Sequence, residues 1–224
     1  DENPRIEICG MYAECFGDFS GINKIYYLKP NEIECQMLFI PMLIHPTVMF
    51  SKSFFNRNLY YDEKFKCAQD FDLWTRSVKS DNIAIIPKVG LMYRIHSTQA
   101  GQKKRNIQIE FTKKILKRNA KKIVNTNTNN IYIQSIINML EIFYGLEELN
   151  KDNYLDIGIL IKKIVKENKN FNKKSLKKTL FNRYVSLIIK NKLFLKCFDY
   201  RIFNIVFNFE NFKFFIWKIS NQII

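Results

Sequence analysis

Apolar and polar positions alternate in two different rhythms along this chain. RIEICGMYAECFG (5–17) has the composition of a strand, GDFSG (17–21) supplies turn residues, and INKIYYL (22–28) predicts a returning strand, together a hairpin. In NEIECQMLFI (31–40), Ile33, Met37 and Ile40 recur at helical spacing until Pro41 stops the run. TVMFSK (47–52) predicts a short strand, 69–79 a helix, and NIAIIPKVGLMYRIH (82–96) an extended segment interrupted by Pro87 and Gly90. Beyond residue 101 the period is helical nearly throughout. One stripe is Ile133, Ile136, Ile137, Leu140, Phe143 and Tyr144, a second Ile157, Leu160, Ile161 and Ile164, and a third Leu176, Leu180, Tyr184, Leu187 and Ile188. These stripes predict helix-packing core. The Asn and Lys abundance, including NTNTNN (125–130), reads as compositional.

Charge sharpens this division. Residues 1–100 hold 11 Lys and Arg against 12 Asp and Glu, whereas residues 101–224 hold 25 against 9. The expected organisation is therefore an α/β region at 1–101 followed by a basic, all-helical region at 102–224. With 224 residues and 47 % hydrophobic content the chain can bury a core. No run of 18 apolar residues occurs, because Pro41 breaks MLFIPMLI and Lys190 and Lys192 break VSLIIKNKLFLKCF. DENPRIEICG lacks the basic and apolar blocks of a leader, and the opening suggests a piece of a longer protein. Five scattered cysteines without a C-x-x-C pair fit small buried hydrophobes in a reducing, cytoplasmic setting.

Chemistry concentrates in three nearby segments: HPTVMFSKSFF (45–55), YYDEKFKCAQDFDLW (60–74) and LMYRIHSTQAG (91–101). Asp70 stands immediately before the apolar set Phe71, Leu73, Trp74 and Val78. An acid in that place reads either as a helix N-cap or as a carboxylate kept ionised by the helix N-terminus. Asp70-Phe71-Asp72 spells D-x-D, but residues two apart on a helix point about 200° apart, so this pair cannot clasp one metal. Asp72 is expected on the surface, paired with Arg76 at i,i+4.

In combination the three segments resemble the acceptor-side half of a family 2 glycosyltransferase of the GT-A fold, over about residues 1–101. The matching patterns are the H-P-x-V-M-F strand, the Y-D-E-x-F helix approach ending in D-x-x-L-W-x-R, and Y-R-x-H. The resemblance implies a partial GT-A-like mixed sheet with helices. It implies inverting transfer of a sugar from a nucleotide-diphosphate donor to a glycan or lipid-linked acceptor, as in cell-envelope polysaccharide synthesis. Asp70 matches the general base. His96 matches a position near the metal or donor diphosphate, with Mn²⁺ or Mg²⁺ as cofactor. Arg94, His45, Gln69 and Trp74 are the substrate-binding candidates. Each has a plainer reading: Arg94 as partner of Asp70 or Asp62, His45 as part of an X-Pro connector, Trp74 with Phe71 as core. Gln69 departs from the Glu more usual in the family. The metal-binding D-x-D would lie upstream of Asp1, so the chain by itself is expected to be inactive.

For the basic region, Phe194, Phe198 and Phe203 through Trp217, interleaved with Lys and Arg, suit an anionic membrane surface through residues 191–224. A helical packing role suits them equally. A nucleic-acid partner has only the charge in its favour, since no recognition module accompanies it. The reading from a different class is a non-enzymatic basic helical module binding anionic membrane surfaces, with Asp70 as a mere cap.

Overall fold

The computed structural model describes residues 3–25, 27–57, 59–97, 104–124 and 129–193. They form a mixed α/β structure that divides into two compact units, Asp1–Asn119 and Ala120–Ile224.

The first unit is organised around strand β1 (Ile8–Gly17). Along its whole length β1 pairs in parallel with β4 (Ile83–Ile95). The antiparallel strands β2 (Gly21–Asn23) and β3 (Met49–Phe50) pair with opposite ends of β1, β2 at Ala13–Cys15 and β3 at Ile8 and Cys9. The expected hairpin is therefore present, with a returning strand cut to three residues. Helices α1 (Pro30–Gln36), α2 (Lys52–Phe55) and α3 (Gln69–Ser77) lie in the connection from β1 to β4. Their apolar faces join the sheet in one core that includes Ile8, Ile33, Phe54, Leu73, Trp74 and Ile83.

Two expectations about element ends are revised. Helix α1 stops at Gln36, ahead of Pro41, because the Asn119 side-chain amide donates to the Met37 and Leu38 carbonyls at 3.3 and 3.0 Å. Pro87 and Gly90 do not interrupt β4. The register steps from Met11↔Ile86 to Tyr12↔Val89 and then to Ala13↔Leu91, so Pro87, Lys88 and Gly90 are absorbed in bulges. Cys15 and Cys35 are buried as small apolar groups. Burial, then the charges of Glu34 and Glu32, push the Cys35 thiol up to about 12.

The second unit is helical. Helix α4 (Arg105–Ile123) runs into it from the first unit, and α5 (Asn130–Tyr144), α6 (Tyr154–Glu167) and α7 (Lys173–Lys190) follow. The three predicted stripes supply buried faces, among them Ile136, Leu140 and Phe143 on α5 and all five named positions on α7. Asparagines turn out to be structural punctuation. Asn129 Oδ1 accepts from Tyr132 N and Asn172 Oδ1 from Ser175 N, capping α5 and α7, while Asn168 pins the turn between α6 and α7. Gly145, at φ 100°, ends α5. The aromatic stretch assigned to a membrane surface falls, from residue 194 onward, outside the described residues. Among the described residues no helix is long and apolar enough to cross a membrane.

Candidate functional site

A cleft of about 440 Å³ opens in the first unit, beside the amino end of α3. Its wall includes Lys24, Pro41, Leu43, His45, Asp70 and Tyr93. That volume lies in the range of small-molecule pockets.

Local structure explains how Asp70 reaches it. Ala68, the residue before α3, adopts the left-handed conformation at φ 57° and ψ 25°. A residue with a Cβ pays about 1 kcal/mol there, and such strain gathers at functional sites. Because the cap position belongs to Ala68, Asp70 is the second residue of the helix and not its N-cap. Its Oδ1 accepts from the Phe71 amide at 2.8 Å, which fixes the plane of the carboxylate. Its Oδ2 faces His45 Nδ1 at 3.9 Å, beyond hydrogen-bond reach. The N-cap reading is therefore set aside: one Asp70 oxygen is held by the Phe71 amide, and the residue lines the cleft.

His45 is placed by the one-turn 3₁₀ helix His45–Thr47. The Thr47 hydroxyl accepts from Met11 N and lies within hydrogen-bond distance of the Met11 and Ile44 carbonyls, at 3.1 and 2.8 Å, tying this turn to β1. On its other side the His45 ring meets Tyr61, with Nε2 2.9 Å from the phenol oxygen. Burial, and next the charge of Asp70, push the Tyr61 phenol above its usual range.

The remaining candidates are placed differently. Trp74 is fully buried, stacked edge-on to His45 at 5.9 Å and against Phe50 at 5.6 Å, so it supports His45 from below and does not line the cleft. Gln69 is exposed at the first helical position, away from the lining. Tyr93 lines the cleft, and the period of two along β4 sends Arg94 to the opposite face, where its guanidinium lies 5.3 Å over the Phe16 ring. His96 is exposed one residue beyond β4 and is not part of the lining. Among the described residues no three His, Cys, Asp or Glu side chains converge as a metal-holding group.

Asp72 requires the largest correction. It is wholly buried, not a surface acid. Arg76 Nε and Nη2 donate to Oδ2 at 2.9 and 2.7 Å, and Arg118 Nη1 donates to Oδ1 at 2.6 Å. The two acids of Asp70-Phe71-Asp72 do diverge, one to the cleft and one to a buried ion cluster. Arg118, Tyr61, Lys24 and Tyr93 escaped sequence reasoning. Only Tyr93 had a usable signal, since strand parity allows Tyr93 or Arg94 on a given face but not both.

No known protein family, curated protein or solved structure matches this chain.

Proposed function

We propose that this chain carries the acceptor-side part of a family 2 glycosyltransferase of the GT-A fold. The observation that supports this reading is the Asp70 carboxylate, pinned through one oxygen and lining the cleft. In the reaction, Asp70 Oδ2 takes the proton from an acceptor hydroxyl of a glycan or lipid-linked glycan. The freed oxygen attacks the anomeric carbon from the face opposite the diphosphate. The bond from that carbon to the diphosphate oxygen breaks, and the nucleoside diphosphate departs with the electron pair. Position at the first turn of α3 favours the ionised carboxylate that this step needs. His45, held on its other side by Tyr61, turns Nδ1 toward the same carboxylate. A requirement for Mn²⁺ or Mg²⁺ belongs to this proposal by resemblance alone, and its ligands would have to include groups beyond the described residues.

A second reading has one observation in its favour: the bond from Phe71 N to Asp70 is one that a purely structural acid would also make. The two are separated by measuring nucleoside diphosphate release from a panel of sugar nucleotides, using protein expressed from its full reading frame. Under the transferase reading, Asp70→Asn lowers release about 10²- to 10⁴-fold with the fold intact. Release that ignores Asp70 returns the residue to a structural role and leaves the basic helical module as the better account.

A further inference from the structure

The second unit holds a concave site of its own, between the end of α6 and the start of α7, with a volume of about 340 Å³. Ile161, Val165 and Phe181 give it an apolar floor. Lys162 and Lys166 on α6, and Lys173 and Lys177 on α7, line the same cleft. Each pair is spaced i,i+4, which puts both of its members on one helix face and makes them repel. The turn between the helices is held in place: Asn168 donates to the Phe171 carbonyl at 2.7 Å and accepts from Phe171 N at 3.0 Å.

What is missing here is counter-charge. Among the described residues none of these four ammonium groups has an ion pair or hydrogen bond. Glu167, the acid nearest in sequence, lies against Tyr132, whose phenol its charge helps to push up after the larger effect of burial. Lys163 lies over the same ring at 4.1 Å and so belongs to that other face of α6. Residues 194–224, outside the described residues, hold four Lys and Arg against two Asp and Glu.

We propose that this cleft binds the phosphate headgroup of an anionic lipid. The four lysines surround the phosphate, and the first carbons of the glycerol and acyl portion rest on Ile161, Val165 and Phe181. Phosphate supplies the concentrated negative charge that four lysines lining one cleft call for, and the apolar floor distinguishes an amphiphile from a free anion. This inference does not depend on glycosyl transfer, so either proposal can fail without the other.

The test is calorimetric titration of the full chain with a short-chain phosphatidic acid below its micelle concentration, with inorganic pyrophosphate, and with the matching phosphatidylcholine. Saturable binding of the phosphatidic acid is expected, with pyrophosphate and the phosphatidylcholine each weaker by about tenfold or more. Lys166→Gln with Lys173→Gln lowers phosphatidic acid affinity by about tenfold or more, whereas the exposed control pair Lys121→Gln with Lys151→Gln leaves it unchanged. Should the first pair lose helical circular dichroism, Lys162→Gln with Lys177→Gln takes its place. No saturation, pyrophosphate binding as tightly as the lipid, or an equal loss from the control pair would overturn the proposal.

Discussion

Asp70 and Asp72, two positions apart, show how differently neighbouring residues can be used. Helix geometry alone separated them, since side chains 200° apart cannot share a ligand. Which of the two was buried depended on Arg118, 46 positions further along, a cation no local pattern connects to α3. Burying a carboxylate is costly unless it is paired and hydrogen-bonded, and here two guanidinium groups do both. Asp72→Ala leaves Arg76 and Arg118 without their acid while both keep some water contact. A loss of about 3 kcal/mol is expected, the low end for breaking a buried pair, read as a fall in the urea midpoint with unchanged slope. By contrast, Glu110→Ala removes only the exposed pair with Lys114 and should cost under about 0.5 kcal/mol. Equal effects from the two substitutions would show that the Asp72 cluster contributes no more than a surface pair.

At the scale of elements, α3, the His45–Thr47 turn and β4 supply Asp70, His45 and Tyr93 to the cleft, and two glycines separate local from tertiary constraint. Gly17 ends β1 at φ 101°, and a Cβ added there would collide with the Ile95 carbonyl oxygen of the neighbouring strand. Gly145 ends α5 at φ 100°, and a Cβ there meets nothing. Both substitutions incur the left-handed penalty, but only Gly17→Ala adds a backbone clash. Gly145→Ala should therefore cost about 1 kcal/mol and Gly17→Ala about 2 kcal/mol or more, compared by thermal melting of the two variants. The helical stripes were legible because a period of 3.6 survives in any sequence that must bury one helix face. Where elements stopped was less legible. Asn119 ends α1 from outside it, and the bulges of β4 answer to the spacing of β1, not to Pro87 and Gly90 alone.

For the molecule as a whole, composition changes near Gly101, but the first compact unit extends to Asn119. The part of α4 that runs up to Asn119 explains the difference. Phe111 packs on Phe65 with ring centroids 5.2 Å apart, Arg118 neutralises Asp72, and Asn119 satisfies the carbonyls after α1. A chain covering residues 1–124 should thus melt cooperatively, whereas one covering 1–101 exposes the core and leaves Asp72 half-neutralised, and should show no cooperative transition. A cooperative melt of the shorter chain at the same temperature would place the boundary back near Gly101. Charge is distributed along the sequence with no regard to this boundary, because solvated lysines report on partners and not on packing.

Periodicity, the order of strands and helices, and the divergence of the two acids in Asp70-Phe71-Asp72 were determined by the sequence alone, because each follows from bonds between near neighbours along the chain. Tertiary structure decided that His45 lies between Asp70 and Tyr61, that Tyr93 and not Arg94 faces the cleft, and that Asp72 is buried. Each of these depends on groups brought together across long loops. No local spacing records which distant side chain will supply a missing counter-charge or hydrogen bond, so the partners become visible only when the chain has closed on itself.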